Sequence, residues 1–417
     1  MSASAVPSTT RDGPPPPTRV AGLERLAAFT ETGLRAYANS RNADLGPENR
    51  GNVSGLSPFI RHRLVLEDEV LRAVLDRMPL EACEKFVQEV FWRSYFKGWL
   101  EHHPAVWFAY RQSVQRLKVS LADDPELANR YQRAISGETG IACVDAWARE
   151  LVAEGYLHNH ARMWFASIWL FTLKLPWELG ADFFMQHLLD GDAASNTLGW
   201  RWVAGLHTRG KTYLARPDNI RKYTGGRFNP PAGSLASSAV SLEEPELPPC
   251  VDIAPGDTFP HVGRIGLLVT DDDCVPELLD LPRKPVAAIG LSSAGNRSAF
   301  GVSELVRQFS EGAIADALQR VSSSIGCETE ASAEDDWELT LADWASRHRL
   351  SAVVCAATCQ GPAHDLLALA EQRLAADGIT LIRLRRDFDL AAWPHATRGF
   401  FKLRKQIPQI IRTCQLG

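Results

Sequence analysis

Residues 137–202 constrain this chain more than any other stretch. They read GETGIACVDAWARELVAEGYLHNHARMWFASIWLFTLKLPWELGADFFMQHLLDGDAASNTLGWRW. A helical apolar period runs through Val144–Val152 and again through Met163–Leu175. His158-Asn159-His160 and Arg162 interrupt it, and Asp190-Gly191-Asp192 with Ser195-Asn196 end it just before Trp200 and Trp202. Polar groups inside an apolar helical frame are costly to bury unless they are paired or bind something. The stretch therefore predicts a buried helical core with polar groups aimed inward, either paired with one another or binding a ligand.

The remainder divides into distinct zones. Residues 1–19 are small, polar and Pro-rich and read as a disordered tail. A helical pattern follows in Leu23, Leu26, Phe29, Leu34 and Tyr37, then a loop over residues 39–52. Ser54-Gly55-Leu56-Ser57-Pro58 is a Ser-rich turn ahead of a helix pattern at 67–77. It suits either an ordinary N-cap or a phosphate held by hydroxyls and free N–H groups. Residues 79–118 read as aromatic-rich helices. Glu89 and Arg93 stand there at i, i+4 spacing, which by itself suits a surface ion pair. Residues 119–136 look polar and irregular. After Trp202 the chain is basic, with Arg209, Lys211, Arg216, Arg221, Lys222 and Arg227 against Asp218, and Tyr213 and Tyr223 interleaved. That suits a nucleic-acid backbone or a loop capping a cofactor.

Residues 231–262, rich in Pro, Ser and Glu, read as a linker. Beyond them the period changes. Ile265–Thr270, Val286–Ser292, Ala352–Ala357 and Ile379–Leu384 read as buried strands. Helix patterns at 302–324, 339–348 and 363–377 lie between them, so residues 263–417 predict a Rossmann-like parallel α/β domain. No G-x-G-x-x-G follows a strand. Ser292-Ser293-Ala294-Gly295-Asn296 fits a tight βα turn, or a turn that meets a ligand.

With 417 residues the chain suits two or three domains with a sizeable core. Its net charge of −5 gives no global basic footprint, so any contact with nucleic acid has to come from local patches. The eight cysteines lack disulfide, C-x-x-C or iron–sulfur spacing and read as reduced thiols. No apolar run reaches a membrane span and no secretory core opens the sequence, so a cytoplasmic protein is expected.

Thr139-Gly140, Val144-Asp145-Ala146, Gly155-Tyr156-Leu157-His158-Asn159, Arg162-Met163, Ala166-Ser167, Trp177, Leu189-Asp190-Gly191-Asp192, Ser195-Asn196 and Gly199-Trp200-Arg201-Trp202 carry a resemblance in order and spacing. With Phe86–Arg93 they resemble the flavin-binding domain of DNA photolyases and cryptochromes. The resemblance implies an all-helical FAD-binding domain over residues 20–230. Tyr37, Ser54, Leu56 and Ser57 would then hold the FAD phosphates. Gln88 and Arg93 would face the cofactor, and Asn159 its ring or adenine side. Arg162, paired with Asp190, would bring charge to the flavin edge. Asp192 would accept from a ring N–H, and Asn196 would stand beside N5, where an amide both donates and accepts.

Glu89, Trp92, Met163 and Trp202 would line a cavity for an extruded pyrimidine dimer, with Trp200 and Trp177 as an electron relay. Leu121 occupies the place of the distal relay tryptophan, and His160 that of an arginine common in dimer-repairing members. The implied activity is light-dependent repair of cyclobutane pyrimidine dimers by a deoxyribodipyrimidine photo-lyase acting on damaged DNA. The alternative within the family is a cryptochrome-like blue-light receptor without repair. The α/β half resembles the antenna domain of the same family, here placed after the flavin domain, where it is expected to fold as a separate unit. The sequence identifies no antenna pigment, and a monomer without membrane contact is expected.

Overall fold

The computed structural model describes residues 13–258, 263–281 and 283–416. The disordered tail expected at 1–19 falls largely on residues 1–12, outside that range. From Arg19 the chain is helical, with Thr18 as N-cap accepting from the Ala21 N–H.

The helix Leu80–His102 is the axis of the first half. Cys83, Phe86, Val87, Val90, Phe91, Tyr95, Trp99 and Leu100 are buried around its whole circumference, as a central helix requires. The helices Leu34–Ser40, Glu67–Leu75 and Ala193–Val203 pack on it. Residues 119–136, expected to be irregular, instead form the end of the helix Pro104–Asp123 and the helix Pro125–Ile135. Asp124 separates them. Its carboxylate accepts from the Glu126 and Leu127 N–H groups, and Pro125 fills the first helical position, where its missing N–H has no partner to lose.

The second half is a five-stranded parallel sheet. Its strands are β1 (Ile265–Thr270), β2 (Ala287–Leu291), β3 (Glu328–Ser332), β4 (Ala352–Ala356) and β5 (Thr380–Leu384), in the order β3-β2-β1-β4-β5. The register pairs Leu267 with Ala288 on one side and Val354 on the other. β1, β2 and β4 are buried throughout, which accounts for their continuous apolar sequences. The helix Glu304–Ser324 covers one face. Trp337–Arg347 and Pro362–Ala376 cover the other, where Trp337 and Trp344 pack on Leu268, Ile289 and Val353.

Two features differ from the expected division of the chain. The segment 231–258 is an extended strap that is bonded to its surroundings: Leu242 N–H donates to Ala204, Val251 N–H donates to His102, and Glu244 pairs with Arg201. The last thirty residues, assigned by sequence to the α/β half, return to the helical one. The helices Asp387–Ala392 and Phe400–Arg404 pack on Leu80–His102, and Phe388, Trp393, Phe400, Leu403 and Ile410 join its core. Among the described residues no helix is long and apolar enough to cross a membrane.

Candidate functional site

The site begins with a loop held from both sides. The helix Ala142–Glu154 ends at Gly155, whose φ of 63° sets the left-handed turn. A Cβ at Gly155 would lie 2.7 Å from the Leu189 side chain, and its carbonyl accepts from the Leu189 N–H at 2.9 Å. Asp190, Gly191 and Asp192 follow. Asp192 then N-caps the helix Ala193–Val203 by accepting from the Ser195 N–H at 2.7 Å. Asp145, one of the matching positions, acts locally. It accepts from the Thr139 hydroxyl and from the Thr139 and Gly140 N–H groups, which locks the preceding turn.

Cations surround the loop. Arg162 donates to Asp190 at 2.9 Å, the pair read from sequence. Burial pushes the Asp190 carboxyl up, but Arg162 and the Ser57 hydroxyl outweigh it and hold it below its ordinary value. Around Asp192 burial is likewise overcome, here by Lys97, Arg93 and Arg61, and the carboxyl is drawn down to about 2. Both carboxylates are therefore ionised at neutral pH.

Arg93 does not pair with Glu89. Glu89 faces Arg41 at 3.6 Å, and Arg93 has no ion-pair partner among the described residues. Burial raises the Glu89 carboxyl, yet 42% of its side chain is open.

Buried polar atoms without a protein partner occur in both halves of the described chain, including six on these elements. These are Arg93 Nε and Nη2, Gln88 Nε2, Asp190 Oδ1, Ser195 Oγ and Trp200 Nε1. Buried groups of this kind are ordinarily satisfied, so these six atoms are available to a polar ligand. The donors and acceptors fit a flavin edge and its phosphates. Near Ser54, whose carbonyl accepts from Arg25, the guanidinium groups of Arg50 and Arg162 lie 4.6 and 5.6 Å from the Tyr156 ring. Arg25, Arg50, Arg61 and Lys97 were not singled out by sequence. Arg25 looks like an ordinary surface cation there, and only the fold brings it to the Ser54 carbonyl.

The remaining candidates are placed unevenly. Tyr37 packs edge-on against Phe29 and Phe86, with ring centroids 5.8 and 5.1 Å away. Ser57 opens the short helix Ser57–Arg61, and Leu56 before it is fully buried. Asn196 is buried and donates from its amide to the Ala181 carbonyl at 2.8 Å, which fixes the amide's orientation. Asn159 is exposed on the first turn of its helix, with no described contact to the Asp190–Asp192 loop, and Met163 is half-buried. Trp202 stacks on Tyr213 at 5.5 Å.

Trp92 departs from expectation. One of its faces is covered by Phe400, stacked at 3.8 Å and 12°, so that face is closed to a nucleobase. Gly180 makes room for Trp200, since a Cβ there would collide with the indole. Trp200 touches Trp169 at 6.1 Å, and Trp169 touches Tyr131 at 6.1 Å. Trp177 lies against Tyr110 at 5.5 Å, and Tyr110 against Trp107 at 5.4 Å. The aromatic contacts thus run along two lines, each ending on a ring other than the missing distal tryptophan. The post-Trp202 cations Arg209, Lys211, Arg216, Arg221, Lys222 and Arg227 are all exposed.

Residues 86–230 match the family described as the FAD binding domain of DNA photolyase. The chain is 35% identical over 200 residues to a deoxyribodipyrimidine photo-lyase of Thermus thermophilus, covering 48% of this chain and 46% of that protein. It is 32% identical over 222 residues to one of Streptomyces griseus, covering 48% and 47%. The chain therefore spans about half the length of the curated relatives it matches. Among solved structures, a bacterial class III photolyase from Agrobacterium tumefaciens aligns with 50% of this chain and 43% of its own, at 26% identity and a TM-score of 0.41. The cofactor of the helical half is FAD.

Proposed function

Because the chain belongs, through its helical half, to the photolyase/cryptochrome family, we propose that it is a light-dependent lyase that splits cyclobutane pyrimidine dimers in damaged DNA. The observation that carries this reading is the group of unpaired buried polar atoms around Arg93 and Asp190, inside the segment that matches the photolyase FAD-binding domain. When bound, reduced FAD supplies the light-driven electron for dimer splitting.

The chain's own residues bind, orient and exclude water. Arg162 keeps its bond to Asp190 while presenting charge to the flavin edge. Arg93 offers Nε and Nη2 from the helix Leu80–His102, and Asp192 remains an ionised acceptor. Asn196 is held by the Ala181 carbonyl with its amide oxygen free to accept. Glu89, whose carboxyl is raised by burial, is suited to share a proton with a pyrimidine edge. A flipped dimer would lie between Glu89, Met163 and Trp202, with Trp92 contributing an edge because Phe400 takes its face. The exposed cations Arg209, Lys211, Arg221 and Lys222 suit the flanking phosphates, whereas Arg227 is bonded to Asp44 and His160 is engaged by Asn42 and Tyr213. The light-receptor alternative has less support, since the relatives matched by sequence carry lyase names.

The test is dimer loss from single- and double-stranded DNA under blue light, with reduced FAD-loaded protein and a dark control. Light-dependent loss on either substrate is expected. A protein that holds reduced FAD and leaves dimers intact in the light refutes the repair reading.

A further inference from the structure

An open parallel sheet keeps a crevice beyond the carboxyl ends of the two strands where its winding reverses. Here those strands are β1 and β4. The chain fills this crevice with itself. The residues after β1 are Asp271-Asp272-Asp273, and against them lies Arg61-His62-Arg63 from the helical half. Arg61 Nη1 reaches the Asp271 carbonyl at 3.1 Å and Asp272 Oδ1 at 2.8 Å. His62 Nδ1 lies 2.7 Å from the same Asp271 carbonyl. Arg63 pairs with Asp389 at 2.7 Å, and Arg386 holds Asp273 through two bonds of 2.6 and 2.7 Å. Asp271 is saturated from its own half by the Ser293 N–H, the Ser293 hydroxyl and Arg297. Arg61 is 4% exposed and Asp271 fully buried, so solvent does not screen the arrangement.

The same basic turn grips the flavin loop on its other side. Arg61 Nε donates to the Gly191 carbonyl at 2.8 Å, the peptide between Asp190 and Asp192. One planar guanidinium thus joins the carboxylate loop to the end of β1. A rigid fork fixes both partners in direction as well as distance.

We propose that Arg61 is a positioning residue for FAD, aiming Asp190 and Asp192 through the Gly191 carbonyl and taking its own orientation from Asp271 and Asp272 of the α/β half. The proposal rests on the FAD assignment above. It gives the α/β half a part in cofactor binding, with its crevice used as an anchor point.

The experiment uses the full-length chain, with FAD affinity and release measured by flavin fluorescence, bound-flavin absorbance recorded, and folding followed by circular dichroism. R61M is expected to keep the native spectrum and to weaken FAD binding about tenfold to a hundredfold, the loss of a hydrogen bond to a charged group. The fine structure of its bound-flavin absorbance should blur. R61K should recover part of both losses, and D272N, which removes the charge of the closer anchoring carboxylate and leaves the Asp271 carbonyl in place, should weaken binding several-fold. A folded R61M chain with wild-type affinity and spectrum overturns the proposal. If R61M does not fold, D272N decides by the same criterion. Wild-type protein that takes up no FAD removes the FAD assignment itself, and the proposal with it.

Discussion

Arg93 brings a guanidinium into the protein and leaves two of its nitrogens without partners. Those nitrogens contribute no hydrogen bond to the fold and are open to a ligand, while the charge joins Lys97 and Arg61 in keeping Asp192 ionised. Arg93→Leu should leave the melting temperature of the cofactor-free protein within a few degrees of wild type. It should weaken FAD binding by about 1.5–3 kcal/mol, the worth of a hydrogen bond to a charged group. Thermal melts with and without FAD check this, and a variant that loses fold and FAD together would assign Arg93 to the core. Much of the site was legible at this scale. Arg162 with Asp190 could be expected because the family resemblance covers both positions, and the structure joins them across 28 residues. The closure of Trp92 by Phe400 could not, since nothing local in either sequence announces a partner about 300 positions away. Arg61-His62-Arg63 and Asp271-Asp272-Asp273 are complementary triplets in plain view. Charge runs usually face solvent, and only the topology of the sheet brings these two together.

The helix Leu80–His102 shows what pattern reading gains and misses among elements. Its full circumference of apolar residues marks it as central, yet does not say what covers each face. Phe91 meets Phe388 at 5.6 Å and Trp92 meets Phe400, both from the chain's last helices. Phe400→Ala should destabilise the protein by about 3–5 kcal/mol, as for other buried Phe truncations. It should also shift tryptophan emission to the red as Trp92 is uncovered. Unchanged emission in a folded variant would contradict the stack. The apolar strands of the sheet were readable because burial on both faces removes polar alternation. β3, with sequence ETEAS, was not. It is an edge strand with exposed and half-buried positions, and charged residues there protect the edge while hiding the strand.

The whole molecule does not divide at the strap. Core residues at 388–411 belong with the helical half, and Arg63 bonds to Asp389 across 326 positions. A fragment ending near residue 235 lacks these core residues and should therefore melt without cooperativity and bind hydrophobic dyes. A sharp calorimetric transition for that fragment, with FAD retained, would show the helical half to be autonomous. The returning C-terminal helices have a further consequence during synthesis. Phe91 and Trp92 leave the ribosome roughly 300 residues before Phe388 and Phe400, a wait of about 15–60 s at ordinary translation rates. Through that interval the nascent chain carries bare aromatic surface with its cover not yet made. Slow translation late in the gene should therefore raise this protein's demand for chaperones more than an equal delay near its start.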